Sequence, residues 1–412
     1  MGLYNRINLP EVDSTESFVG FAISPPAARY GPWKVGAILY AFLWGNAASP
    51  ANVFRSIDDG LSWQQMDAAN TILGDYNRPR AAFDASTGII TVAYVLGTGS
   101  TAVLRLKDFD TSTDLWSAEY AATGPACNMQ DAGLVIKATG EKVFFFHGLQ
   151  GTSDGRTMWT QWNGTAWSTP VLFADNVASG GGNAFRGAAI EPESQNIHVV
   201  YQHSATSFGN PTFYHRVLKS DLTLGAVTTL DTMVDARVDL STGLPLTFFD
   251  GKVYVWMLRG TSYNAKVGSP ASLPSSFTEV AIADAPTPNW APDDSGNHQD
   301  LIGLVSADGS QLIVLFIWEI GPIGDDDSLD TVQMHRTNST NGTTWSTPAL
   351  WFDFWPTVLG QSTFSAVDLG TGGVDGIGAF GEISVSAVAY YMFKSCPCGE
   401  PPPSGELGNR FY

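Results

Sequence analysis

Apolar positions along this chain come in short runs, with period two or no period. They are bounded by Gly, Asn, Asp and Ser, and the spacing of an amphipathic helix is nearly absent. The chain therefore reads as all-β, and its runs repeat. A polar turn recurs at steps of about 50 to 65 residues. It stands at Asp84–Gly88, Lys137–Gly140, Glu191–Gln195, Phe249–Gly251, Ala307–Gly309 and Gly370–Gly373. A near-continuous apolar strand follows each: Ile89–Leu96, Val143–His147, Ile197–Tyr201, Val253–Leu258, Leu312–Trp318 and a weaker Ile377–Phe380. A shorter strand of small residues precedes each: Ala81–Phe83, Ala132–Ile136, Gly187–Ile190, Leu244–Phe248, Leu301–Val305 and Phe364–Val367. Small residues suit a crowded strand near a central axis. Unbroken apolar runs suit a strand covered on both faces.

A tryptophan marks the end of a third strand. Ser56-Ile57-Asp58-Asp59-Gly60-Leu61-Ser62-Trp63 is the fullest form. Asn163-Gly164-Thr165-Ala166-Trp167 and Asn341-Gly342-Thr343-Thr344-Trp345 are near-copies of each other, and Asp110–Trp116 is a degenerate one. Trp63, Trp116 and Trp167 are about 52 residues apart. Ser56 to Trp63 resembles the Asp-box of the sialidase-like, or BNR-repeat, β-propellers. The resemblance implies a structural role between the third and fourth strands of a blade. Ser56, Asp58, Gly60 and Trp63 would build it, with Asp58 capping turn N–H groups and Trp63 packing between blades.

The fold expected is a single β-propeller of seven four-stranded blades, with six as the alternative. Phe18–Ile23 is read as the first innermost strand. The last repeat lacks a fourth strand after Val385–Phe393, and Leu3–Leu9 is free to supply it. Closure is expected because an open ring leaves strand edges exposed. Residues 1–394 then form the propeller, and residues 395–412, rich in Cys, Pro and Gly, a C-terminal arm.

Composition narrows the partners. Of 412 residues 44% are hydrophobic and 15% charged, with 21 Lys and Arg against 40 Asp and Glu, a net charge of −19. That sign disfavours nucleic acid and anionic membranes. No apolar run reaches the length of a membrane-spanning helix, and the N-terminus lacks the pattern of a signal peptide. Three cysteines make no disulfide framework and too few ligands for a cysteine zinc site. The Asn-x-Thr triplets at Asn163, Asn338 and Asn341 read as turn chemistry.

In a propeller, the starts of innermost strands and the ends of second strands share one face. Arg80, Asp131, Arg186, Arg237, Asp239 and Asp300 fall at the starts, and Trp44 and Trp318 at the ends. Trp351 comes from a longer loop. Aromatic faces and planar donors suit a sugar ring. The competing account is that arginines and aspartates neutralise each other around a wet channel. The sialidase arginine triad and Tyr/Glu nucleophile cannot be matched. Asp325-Asp326-Asp327 and Asp293-Asp294 carry hard oxygen ligands for Ca²⁺ without a recognised spacing, so no cofactor is expected. The reading is a non-enzymatic binding or assembly disc on a virion or extracellular surface. Its axial face would take a glycan or protein, and its C-terminal arm would dock to another chain. The alternative is a sialidase-like glycoside hydrolase.

Overall fold

The computed structural model describes residues 5–8, 29–43, 51–57, 64–70, 72, 79–96, 103–120, 124–125, 128–147, 156–174, 183–203, 212–232, 236–237, 246–259, 262–284, 301–306, 308–320, 331–354, 364–368, 377–383 and 388–394. Among them lie 29 strands and one 3₁₀ turn at Ala68–Asn70. The N-terminal strand is β1 (Asn5–Asn8). The first sheet is β2 (Arg29–Val35), β3 (Ile38–Leu43), β4 (Asn52–Ser56) and β5 (Gln64–Gln65). The second is β6 (Arg80–Asp84), β7 (Ile89–Leu96), β8 (Val103–Asp110) and β9 (Leu115–Trp116). The third is β10 (Asn128–Ile136), β11 (Lys142–His147), β12 (Thr157–Trp162) and β13 (Val171–Ala174), and the fourth β14 (Asn183–Ile190), β15 (Ile197–His203), β16 (Thr212–Leu218) and β17 (Leu224–Thr232). In the fifth, β18 (Ala236–Arg237) and β19 (Leu246–Phe249) both pair β20 (Lys252–Arg259), followed by β21 (Ser262–Gly268) and β22 (Phe277–Asp284). The sixth is β23 (Leu301–Val305), β24 (Leu312–Ile320), β25 (Thr331–Ser339) and β26 (Ala349–Phe354). The seventh is β27 (Phe364–Asp368), β28 (Ile377–Ile383) and β29 (Val388–Lys394), with β1 on its outer edge.

All pairings are antiparallel, and the sheets stand in a ring as the blades of a β-propeller. Six sheets have four strands and one has five. The innermost strands are neighbours in the order β2, β6, β10, β14, β19, β23 and β27, and β27 lies against β2. Asn5 of β1 sits opposite Phe393 and Asn8 opposite Tyr390.

The expected first innermost strand is corrected. Phe18–Ile23 lies outside the described residues, and β2 takes the inner place of the first sheet. Its pattern is hidden by Gly31 and Pro32. These two residues face the single Ala41 of β3, because Tyr30 pairs Phe42 and Trp33 pairs Tyr40. Gly31 has φ +95, a conformation open to glycine, and a Cβ there would press on the Tyr40 carbonyl.

The core is a series of interfaces between blades. Along β11, Phe144 and Phe146 face the second sheet, with Val95, Leu104 and Leu106. Val143 and Phe145 face the fourth, with Phe185, Val199 and Tyr201. The same alternation places Val253, Val255 and Met257 against the fourth sheet and Tyr254 and Trp256 against the sixth. Both faces of a second strand are thus buried, which is why its sequence is apolar without alternation. Each such side chain contributes about 1.5–3 kcal/mol. Small residues on inner strands make room for these rings. A Cβ on Gly133 would overlap Phe185, and one on Gly303 would overlap Trp256.

Polar ties cross the same interfaces. Tyr40 donates to the Thr111 carbonyl (2.9 Å) and to Asp114 (2.8 Å), which also pairs Arg55. Lys266 of the fifth sheet meets Asp231 of the fourth at 2.9 Å and Glu279 at 2.7 Å. Arg216 donates Nε to the Gly225 carbonyl (2.9 Å) and Nη1 to the Phe173 carbonyl of the third sheet, with its guanidinium over the Phe173 ring.

Candidate ligand-binding face

One end of the inner strands is built differently from the other. At the end where they lead into the second strands, turns are tight and close on themselves. Asp84 accepts from Ser86 N–H (2.9 Å), Ser86 Oγ (2.6 Å) and Thr87 Oγ1 (2.8 Å). Asp308 is held alike by Ser306 and Ser310, and these hydrogen bonds pull its carboxyl down to about 2. At the opposite end, where inner strands begin, the ladders break. Gly31 and Pro32 form one break. Residues 129–132 of β10 face Phe146 alone. Arg186 is the extra residue between Phe185, opposite Tyr201, and Gly187, opposite Val200. In the fifth sheet β18 and β19 pair separate parts of β20, Arg237 opposite Leu258 and Leu246 opposite Val255. Bulges free a residue from pairing and re-aim it. The first, third and fourth sheets do so at one end of the ring.

Arg80, the first residue of β6, ties three inner strands. Its Nε donates to the Ala132 carbonyl of β10 at 2.6 Å, and its guanidinium bonds the Tyr30 hydroxyl of β2. Burial pushes the Tyr30 phenol up, and the adjacent Arg80 charge only partly opposes this. Tyr30 therefore stays protonated. Arg186 donates Nε (2.9 Å) and Nη2 (2.6 Å) to the one Oε1 of Gln202, on the neighbouring β15. That geometry fixes the plane of the guanidinium.

The other expected site residues are placed less fully. Asp131 lies at the break of the ladder in β10, and Arg237 in β18, opposite Leu258. Trp318 lies in β24 and Trp351 in β26 rather than in a loop; the strand reaches Phe354. Trp44, Asp239 and Asp300 lie outside the described residues, as do Asp325–Asp327, Asp293 and Asp294. Tyr30 is not among the expected site residues, since it lies in β2 and not in Phe18–Ile23. The signal for it was the Gly36-Ala37 turn between two aromatic runs.

The tryptophan turns form separately. Asn163 Oδ1 accepts from Thr165 N–H, Thr165 Oγ1 and Ala166 N–H, each at 3.0 Å. Asn341 Oδ1 accepts from Thr343 N–H (2.9 Å), Thr343 Oγ1 (3.1 Å) and Thr344 N–H (2.8 Å). The serine after each tryptophan accepts, through its carbonyl, from a third-strand threonine: Thr160 to Ser168 (2.8 Å) and Thr337 to Ser346 (2.6 Å). Trp345 packs edge-on against Trp256 of the preceding blade, and Trp167 edge-on against Trp162. Ser56 ends β4, buried; Asp58, Gly60 and Trp63 lie outside the described residues.

No protein-family model matches the chain, and no curated protein matches it in sequence. Among solved structures it is similar to a polysaccharide lyase, a PL25 ulvan lyase. The TM-score is 0.52 at 10% identity, over 95% of this chain and 94% of that one. A PL25 ulvan lyase bound to -[GlcA(1-4)Rha3S]- gives the same values. A GH93 α-L-arabinofuranosidase of Fusarium graminearum with arabinobiose aligns with TM-score 0.46 and 12% identity, over 76% of this chain and 92% of that one.

Proposed function

We propose that the protein binds a carbohydrate on the face where the inner strands begin, without cleaving it. The observation that carries this reading is the gathering of ladder breaks at that end. They lie about Arg80 and Arg186, two guanidiniums oriented by hydrogen bonds to Tyr30, the Ala132 carbonyl and Gln202. Fixed planar donors beside aromatic strands suit hydroxyl, carboxylate or sulfate groups of a sugar. The likeness over nearly the whole chain to a polysaccharide lyase supports the choice of ligand class. On this reading the disc belongs to a virion or extracellular surface, and residues 395–412 dock it to another chain.

Binding to an array of neutral, uronate-bearing and sulfated polysaccharides tests the proposal. Arg186→Ala is expected to weaken the bound glycan by roughly 1.5–3 kcal/mol, the scale of a hydrogen bond to a charged group. Absence of binding across the array, or equal binding by that variant, overturns it. A second reading, cleavage, follows from the similarity of its fold to that of the PL25 ulvan lyase. New reducing ends, with or without the ultraviolet absorbance of an unsaturated product, separate a hydrolase, a lyase and a binder.

A further inference from the structure

We infer that Asn163 is a site of spontaneous covalent modification, converting to aspartate and isoaspartate, and that the near-identical Asn341 is protected. The reaction needs an electrophilic side-chain amide and a free backbone nitrogen one residue on. The Gly164 nitrogen, its proton lost to a solvent base, attacks Cγ of Asn163. The new C–N bond closes a five-membered imide as the Cγ–Nδ2 bond breaks, and Nδ2 leaves as ammonia with a proton from solvent. Water then opens the imide at either carbonyl, giving aspartate or isoaspartate.

Both turns activate the electrophile, Asn341 at least as strongly as Asn163. Three donors converge on Asn163 Oδ1 at 3.0 Å, and four, the Ser339 hydroxyl included, on Asn341 Oδ1 at 2.8–3.1 Å. They are placed to stabilise the negative charge that develops on this oxygen when Cγ is attacked, as donors do around any tetrahedral oxyanion. Glycine follows each asparagine, so no side chain hinders the approach.

The nucleophiles differ. Asn163, Gly164 and Thr165 are exposed, and Gly164 N–H has no hydrogen-bond partner among the described residues. Gly342 is buried, and its N–H donates to Ser339 Oγ at 2.8 Å. Ser339 is 2% exposed and its hydroxyl also engages Asn341, taking its N–H (3.3 Å) and meeting its Oδ1 (3.1 Å). Tyr254 of the fifth sheet packs so closely on Gly342 that a Cβ there would overlap its ring. The position equivalent to Ser339 in the other turn is Gln161, which lacks such a hydroxyl. For Gly342 to attack, the Ser339 hydrogen bond must break and the turn must lift from Tyr254. For Gly164 neither cost arises.

The folded protein is incubated at mildly alkaline pH and digested, and the Asn163 and Asn341 peptides are followed by mass spectrometry that separates isoaspartate. The expected result is conversion at Asn163 at least about fivefold faster than at Asn341, the weight of one hydrogen bond that must open first. In the denatured chain the two rates should converge. Ser339→Ala is expected to raise the Asn341 rate toward that of Asn163. Equal rates in the folded wild-type protein, or a faster Asn341, overturn the inference without recourse to any variant.

Discussion

Gly303 leaves no space for a side chain, because the Trp256 indole already occupies it. Gly303→Ala is expected to cost about 1–3 kcal/mol through overpacking, read as a lower urea midpoint at unchanged slope. An unaltered midpoint would mean that the indole moves aside freely. A second residue-level expectation concerns acid. His198 Nδ1 and His215 Nε2 share a hydrogen bond of 2.9 Å, sealed against Phe248 and Phe277. Burial holds His198 down at about 4, although nearby Glu191 opposes it, and holds His215 well below its usual value. Both are neutral in the folded protein at pH 7. Between pH 6.5 and about 4 the unfolded chain binds more protons, so stability is full above that window and falls as pH drops through it. For His198 alone the loss is on the order of 3 kcal/mol. Thermal unfolding from pH 7 to 4.5 measures it, and replacing both histidines by glutamine should flatten the slope. Of the candidate face, Arg80 and Arg186 were legible as polar residues opening apolar strands. Tyr30 was not, because Gly31 and Pro32 interrupt its strand, and neither was the Gln202 partner, which only register reveals.

At the scale of the element, second strands announce themselves. Ile89–Leu96 is buried along nearly its whole length, so nothing breaks its apolar run. Inner strands are legible by their small residues, as in Gly187-Ala188-Ala189 of β14. The ladder breaks are not legible. Arg186 lies between Phe185 and Gly187 with nothing in residue type to mark a bulge. What joins one blade to the next is also a matter of partners rather than pattern. Arg216 reaches a carbonyl of the neighbouring sheet while its other nitrogen serves its own. Arg216→Met should therefore destabilise by about 1–3 kcal/mol, since the Phe173 and Gly225 carbonyls lose their donors. Arg216→Lys should not restore the loss, because an ammonium lacks the planar fork. Denaturant titration of the two variants checks both statements; full rescue by lysine would reduce the contact to its charge alone.

For the whole molecule, the repeat period conveyed an all-β ring, and the missing outer strand of the last repeat pointed to the N-terminal segment. The deciding feature is the pairing of β1 with β29. Removing residues 1–10 exposes the edge of the seventh sheet. It is expected to lower the thermal midpoint by a few degrees, on the order of 1 °C per kcal/mol lost for a chain this large, and to promote self-association. A truncated protein that melts unchanged and stays monomeric would contradict this. The direction of the pairing has a mechanical consequence. Asn5, where β1 begins, stands opposite Phe393, one residue before β29 ends at Lys394. The chain therefore enters β1 and leaves β29 at adjacent points of the sheet. Tension drawn between them loads the first rung alone and peels the pair open like a zipper, whereas heat must loosen every rung together. A clasp of this kind resists temperature far better than it resists a pull.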